Sequence, residues 1–491
     1  SGLLETKGLH EALFRGEASA TMEAFMDAIN PATGETFARY DEMNAEQTKA
    51  AIDAAHSAYL DWRHTDFATR AGLLRKAAAL LRERKRDYGT LMAKEMGKPI
   101  RDGIAEAEKC ALGCDYYADN AAKFLANEIV ETGEKKSLIA YRPLGVILAV
   151  MPWNFPFWQV LRFAAPALMA GNAGVLKHSA NVPGCALALE QLFHDAGFPQ
   201  HLFRTLLISS KAVDAVIEHP HIKAVSLTGS GPAGRAVAAK AGSLLKKTVL
   251  ELGGADAYLI LRHSDIAFAA SACAKGRLVN SGQSCVAAKR FVVLSELAEA
   301  FEKTLVAEIN KAAVGDPLNE ETTVGPMARA DLRDDLHKQV SDSIAKGARV
   351  LCGGAIPNGP GAFYPPTVLT NLKPGMPAYD DELFGPVASV IVARDTDDAI
   401  RIANDSPFGL GGGVFTPDLA LSEKIAVEDI EAGLVFVNGA VASAPHLPFG
   451  GIKESGYGRE LSSFGIREFV NIKTVVVAPH GSGAAAPRHI E

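Results

Sequence analysis

The chain has 491 residues, 48% of them hydrophobic and 22% charged, with a formal net charge of −7. That length exceeds what one hydrophobic core usually serves, so two or more domains are expected. A pI near 6.0 without a concentrated basic face excludes nucleic acid as an expected partner, and no apolar run is long enough to cross a bilayer. The N-terminus lacks the pattern of a secretion signal and begins Ser1–Gly2, which reads as a processed end. Six cysteines in so long a chain make no disulfide framework, so a reducing cytoplasm is the expected location. Cys110 and Cys114 lie one helical turn apart, but no second pair has ligand spacing with them. Core packing is expected for both, and no metal.

Further along, KKSLIAYRPLG (135–145) is strand-like but belongs to no strand–helix alternation. Beyond it short apolar runs alternate with helical patterns. GVILAVM (145–151), AGVLKHS (173–179), RTLLI (204–208) and KAVSLT (223–228) read as strands, and 184–197 and 211–219 as helices. Strands separated by helices mean crossovers and a mostly parallel sheet. Runs that are apolar throughout fit a sheet covered on both faces. A second series begins after Glu251: AYLIL, a helix near 265–279, KRFVVL, a helix from Glu296, and SVIVAR (389–394). Two α/β domains are the simplest parse, with the hinge near LELGGAD (250–256). The far strand EFVNIKTVVVAP (468–479) is expected to pair with 135–145 as an antiparallel flap whose edge favours oligomerisation. The small-residue tail GSGAAAP (481–487) reads as flexible.

Three stretches carry the chemistry. GSGPAG (229–234) satisfies Gly-x-Gly-x-x-Gly between a strand and a helix, where glycines let backbone N–H groups approach a pyrophosphate. A tight strand-to-helix turn also needs glycines for steric reasons alone. Glu251 lies 22 residues beyond Gly229, which suits an acid that grips a ribose and equally a general base at the end of a strand. Spacing does not separate the two. In MPWNFPFW (151–158), Asn154 is held between aromatics and prolines, as an oxyanion hole requires, although a Pro-bounded turn uses an Asn in the same way. NSGQSC (280–285) sets Cys285 behind a Gly-containing turn, with polar residues on one side and VAAKRFVVL on the other. That is the setting of a thiol at the mouth of a cleft, although most free cysteines are small core hydrophobes.

Together PWNFP, GNAGVLK, TGS, LELGG, GQSC, ELFGP and PFGGIKESGYGRE occur in the order found in the aldehyde dehydrogenase superfamily. The resemblance runs from INPATGE (29–35) to the C-terminal strand. It implies an α/β fold with two Rossmann-like parallel-sheet domains and a small antiparallel oligomerisation flap. The implied parts are a dinucleotide-binding domain (26–123 and 146–252), a catalytic domain (253–450), a flap (124–145 and 465–480) and an N-terminal extension (1–25). It implies Cys285 as the nucleophile, the Asn154 amide with the Cys285 N–H as oxyanion hole, and Glu251 as general base rather than ribose clamp. That glutamate argues against the branch that acylates coenzyme A.

The resemblance also implies cofactor-binding positions at Trp153, Lys177, Ser179, Gly229, Ser230, Glu382 and Phe384. Members selective for NAD commonly carry a Glu where this chain has Ala180. Without that carboxylate a 2′-phosphate is not repelled, so NAD or NADP is expected, with Lys177, Ser179 and His178 as phosphate donors. KHSANVPGCA, GPMARADLRDDLH and GQSCVAAKRF look most like the bacterial succinate-semialdehyde dehydrogenases. There Arg162 and Ser443 match an arginine and a serine that hold a substrate carboxylate. A second such arginine is Val279 here, which leaves a broad aliphatic or aromatic aldehyde specificity as the alternative. Ala287 removes any redox switch with a neighbouring cysteine. The expected partners are a small-molecule aldehyde and further copies of the chain, as homodimer or homotetramer.

Overall fold

The computed structural model describes residues 24–133, 136–478 and 480. Most of the 1–25 extension and the 481–487 tail lie outside them. Five parallel strands form the heart of a first sheet: Val146–Met151, Ala173–His178, Phe203–Thr205, Ile222–Thr228 and Lys247–Glu251. In space the third strand is followed by the second, first, fourth and fifth. The order therefore reverses between Val146–Met151 and Ile222–Thr228, and crevices at such reversals hold ligands. Ala173–His178 is buried at every position, as expected of a sheet covered on both faces.

The crossover helices cover this sheet directly, and an N-terminal set of helices packs on and around them. After a hairpin of Phe25–Ile29 with Thr36–Asp41 come four helices: Ala45–Trp62, Phe67–Glu83, Lys85–Met96 and Ile100–Phe124. The first opens on a capping box of Asn44 and Gln47, and the second on the Asp66 side chain. These caps satisfy backbone donors that a helix start leaves free. Ile100–Phe124 packs on the helix Trp158–Met169. It buries Cys110 and Cys114 completely, as core packing requires.

The second sheet has six parallel strands, Thr367–Thr370, Val387–Ala393, Arg290–Leu294, Ala257–Ile260, Gly411–Phe415 and Leu434–Val437, with Arg349–Cys352 antiparallel at one edge. Gly411–Phe415 carries no strand signal in sequence, because its glycines make room for neighbours. A Cβ at Gly413 would stand 3.0 Å from the Tyr258 ring. A third sheet pairs Val470–Val477 with Lys136–Pro143, and Glu128–Glu131 with the latter, all antiparallel. The two strand-like outliers thus meet as expected, and a third short strand joins them.

Two local expectations need correction. The strand expected at 204–208 is Phe203–Thr205, since the sheet's edge offers pairing to only three residues. The helix expected at 211–219 is a turn of 3-10 helix followed by Val213–Glu218. A larger surprise is the return of the C-terminal segment to the first sheet. Gly456–Tyr457 pairs antiparallel with Leu250 and Glu251, and Ser462–Arg467 packs on the helices Ile100–Phe124 and Trp158–Met169.

Candidate active site

Cys285 sits on a loop that leaves the helix Ile266–Leu278 through three consecutive left-handed residues, Asn280, Ser281 and Gly282. A Cβ at Gly282 would collide with the Gly385 carbonyl, so only glycine fits there. Side chains within the loop and flanking it pin it in place. Arg277 Nη2 donates to the Gly282 carbonyl at 2.6 Å. Asn280 Nδ2 donates to the Asn154 carbonyl at 2.7 Å and to that of Gln283 at 3.0 Å. Lys289, fully buried, donates to the carbonyls of Ser284 and Cys285, both at 2.9 Å.

Cys285 as a residue is partly exposed, while its thiol is largely desolvated. Burial pushes it up to about 12, while Arg162 and then Lys289 pull the other way. The Cys285 N–H meets no acceptor among the described residues. Asn154, 3% exposed, is rigidly held: Nδ2 donates to the Gln283 carbonyl at 3.1 Å, and Oδ1 accepts from Gln159 Nε2 at 3.0 Å. A primary amide has two N–H bonds, so one of them remains unspent.

Glu251 ends the strand Lys247–Glu251 and is 2% exposed. Neither carboxylate oxygen finds a hydrogen-bond partner among the described residues. Burial, with Glu460 beside it, holds the group well above the ordinary carboxylate range. Its charge acts on Cys285, and its own charged neighbours are Glu460, Arg162, Arg459 and Glu468. These surroundings belong to the thiol's side of the fold.

Arg162 differs from expectation. Its Nε pairs with Glu460 in an ion pair almost wholly removed from solvent. Its Nη2 donates to Thr228 Oγ1 at 3.3 Å, and the guanidinium lies 4.5 Å from the Phe449 ring centroid. A substrate carboxylate would have to displace Glu460, so in this arrangement Arg162 is not an open anion grip. Ser443 Oγ accepts from Lys109 Nζ at 2.7 Å and from Trp158 Nε1 at 3.1 Å.

At the cofactor side, Ser230 caps the helix Gly231–Ser243, with Oγ accepting from the Ala233 N–H at 3.5 Å, and Gly229 N–H donates to the Glu251 carbonyl at 3.0 Å. The Gly-rich turn is real, yet it comes after the fourth strand of the sheet. The first strand-to-helix turn, where a dinucleotide fingerprint normally sits, is the MPWNFP segment. Trp153 and Phe384 meet edge to face, with ring centroids 5.7 Å apart. Lys177, 9% exposed, has no acceptor or ion-pair partner among the described residues, and burial lowers its ammonium. A buried ammonium without a partner among the described residues, on the sheet that also leads into the Gly-rich helix start, fits a nucleotide.

Ser179 Oγ donates to Asn181 Oδ1 at 2.7 Å. His178 is not available as a phosphate donor. It is 5% exposed, Nε2 bonds the Pro156 carbonyl at 2.9 Å, and Nδ1 accepts from the Ser179 N–H at 3.0 Å. Burial pushes it down to about 4, so it is neutral and ties its strand to the Asn154 loop. Glu382 Oε1 accepts from the Gly254 N–H at 3.0 Å and lies 3.3 Å from Lys289 Nζ. The sequence reading missed Lys289, Glu460 and Lys109. Only the basic residue four positions after Cys285 offered a local signal for any of them.

Fold and site define a thiol enzyme built on a dinucleotide-type sheet. The model of the aldehyde dehydrogenase family matches residues 17–475, and the chain belongs to that family. It is 49% identical over 450 residues to a probable succinate-semialdehyde dehydrogenase [NADP(+)] of Synechocystis, covering 92% of this chain and 99% of that one. Identity is also 49%, over 453 residues, to the succinate-semialdehyde dehydrogenase [NADP(+)] of Mycobacterium leprae, with the same coverage. Among solved structures, succinic semialdehyde dehydrogenase from Streptococcus pyogenes in complex with NADP+ superposes with a TM-score of 0.90 at 38% identity, over 92% of this chain and 100% of that one.

Proposed function

We propose that the protein oxidises succinate semialdehyde, or a similar short carboxylated aldehyde, to the acid with NADP or NAD, through a covalent intermediate on Cys285. The observation that carries this reading is the pair of unspent donors, the Cys285 N–H on the thiol's loop and the second Asn154 N–H on the loop bonded to it. Cys285, once its proton is lost, adds to the aldehyde carbon to give a thiohemiacetal, and the two donors hold the oxyanion. The bound dinucleotide supplies the acceptor for the hydride that leaves this carbon. The thioester that remains is hydrolysed by water from which Glu251 takes a proton, releasing the acid and the thiolate.

Lys177, Ser179, Gly229 and Ser230 would hold the adenosine and pyrophosphate, and Glu382, Phe384 and Trp153 the nicotinamide end. Ala180, exposed beside Lys177, presents no carboxylate to a 2′-phosphate, which supports NADP alongside NAD. In this reading 26–123 and 146–252 serve as the dinucleotide-binding domain and 253–450 as the catalytic domain. The segments 124–145 and 465–480 form the flap through which copies associate. The similarity to proteins described as succinate-semialdehyde dehydrogenases supports the carboxylated substrate. The occupied Arg162 and the valine at 279 favour, as a second reading, a broad aldehyde specificity. The test is steady-state oxidation of succinate semialdehyde and of butyraldehyde, each with NAD and NADP. A clear advantage in kcat/KM for succinate semialdehyde supports the first reading, and equal values sink it.

A further inference from the structure

A carboxylated substrate needs a cation in its channel, and the arginine that motifs nominate is already paired. Arg162 is 3% exposed and bound to Glu460. A second cation stands nearby. Lys109, on the helix Ile100–Phe124, donates from Nζ to Ser443 Oγ at 2.7 Å and lies 4.7 Å from the Trp158 ring centroid. No carboxylate is paired with it among the described residues. The carboxylate that acts on it electrostatically, Glu106, is spent. Its Oε2 faces Lys98, and its Oε1 accepts from the Phe157 and Trp158 N–H groups at 2.9 Å each.

Ser443 completes the pattern. A hydroxyl has two lone pairs and one O–H. Lys109 Nζ and Trp158 Nε1 occupy the lone pairs, so the O–H is left to donate, and it meets no acceptor among the described residues. Lys109 keeps two further N–H donors. One positive charge and three donors on two bonded side chains, with no acceptor for them among the described residues, are the complement of a carboxylate. The place is right as well. Trp158 lies four residues beyond Asn154, and Val441, two residues before Ser443, donates its N–H to Tyr258 Oη at 2.7 Å in the second sheet. Lys109 and Ser443 are both part-exposed, as Cys285 is, whereas Arg162 is sealed.

We propose that Lys109, with Ser443, receives the substrate's carboxylate and sets the preference for a carboxylated over an uncharged aldehyde. This rests on the proposed succinate-semialdehyde activity. The electrostatics agree: burial, with Arg162 next, brings the Lys109 ammonium down to about 8, against smaller opposing effects of Cys110 and Glu106, while Lys98 adds to the lowering. A bound carboxylate relieves that cost.

The test uses the full chain with NADP and reads the ratio of kcat/KM for succinate semialdehyde over butyraldehyde. Losing a charge-assisted contact should lower that ratio by about 10- to 100-fold in Lys109→Met, chiefly through KM. Lys109→Arg, which keeps the charge, should hold most of the preference. In the wild type the ratio should decline as pH rises past about 8, where the ammonium is lost, and Lys109→Arg should not show that decline. A Lys109→Met enzyme that keeps the ratio, or loses both substrates equally, overturns the proposal while leaving the substrate reading standing. A wild-type ratio near one sinks the substrate reading itself, and this proposal with it.

Discussion

A thiol surrounded as Cys285 is makes a poor nucleophile until its proton leaves, because desolvation penalises the thiolate more than Arg162 and Lys289 repay. In the ligand-free protein its alkylation by iodoacetamide should climb about tenfold per pH unit from neutrality upward, since the thiolate fraction grows tenfold per unit below the pKa. With the thiol pushed up to about 12, no plateau is expected below pH 9; peptide-resolved labelling that levels off there would contradict this environment. Glu251 carries a second residue-scale expectation. Its folded-state pKa is raised, so between the ordinary carboxylate value and that raised value the native state binds more protons than the unfolded one. Stability is then lost as pH rises through that window. Glu251→Gln removes the titration. Its unfolding midpoint should exceed that of the wild type at pH 8 and approach it at pH 5, by urea melts at both, while aldehyde turnover falls by about 10²- to 10⁴-fold. A midpoint difference that is the same at both pH values would refute the buried-acid account.

At the scale of elements, the turn from Leu278 to Cys285 concentrates what the site needs. Two non-glycine residues in left-handed conformation cost roughly 1–2 kcal/mol each. The loop bears that cost because Arg277, Asn280 and Lys289 fix its carbonyls. Ser281 Oγ and Gln283 Oε1 anchor it further to the Gly325 and Ala328 N–H groups, both at 2.9 Å. Gly282→Ala should destabilise the protein by about 2–5 kcal/mol, from a strained φ plus a backbone clash, and should abolish turnover. A variant with wild-type melting and activity would mean that the loop is freer than its geometry indicates. The thiol's loop, the Gly-rich helix start and the strand alternation were legible in the sequence because each is written in neighbouring residues. What was not legible is side-chain pairing across the chain. Lys109 and Ser443 stand 334 positions apart. Glu460 reaches Arg162 only because the C-terminal segment folds back beside Leu250 and Glu251. No spacing rule encodes that return, so Arg162 read as a free cation. Gly411–Phe415 was hidden for a related reason, since its small residues serve the bulk of Tyr258 on the neighbouring strand.

Across the whole molecule the two parallel sheets are covered, but the third sheet is not. Its spatial order sets Lys136–Pro143 in the middle and leaves Val470–Val477 as an edge strand of eight residues. That edge carries Ile472 at 63% exposure and Val476 at 54%, with Ile129 at 60% on the opposite edge strand. Long apolar edges of this kind recruit another strand unless a charge, a proline or a bulge blunts them, and Lys473 is the only charge within Val470–Val477. The sheet also projects from the chain's own core: most of Val470–Val477 is exposed, although Asn172 Nδ2 ties the preceding Phe469 carbonyl to the first sheet at 2.9 Å. A second copy is the partner that every molecule has to hand, and pairing between copies would satisfy the edge by a symmetric contact. Ile472→Lys with Val476→Lys should therefore shift the protein toward monomer in light scattering. The first sheet and the Cys285 loop lie outside the altered strand, so alkylation of Cys285 in the monomer should keep its dependence on pH. If the double variant elutes and scatters as the wild type does, the flap is not the surface through which copies meet, and the exposed valines and isoleucines of that edge need another explanation.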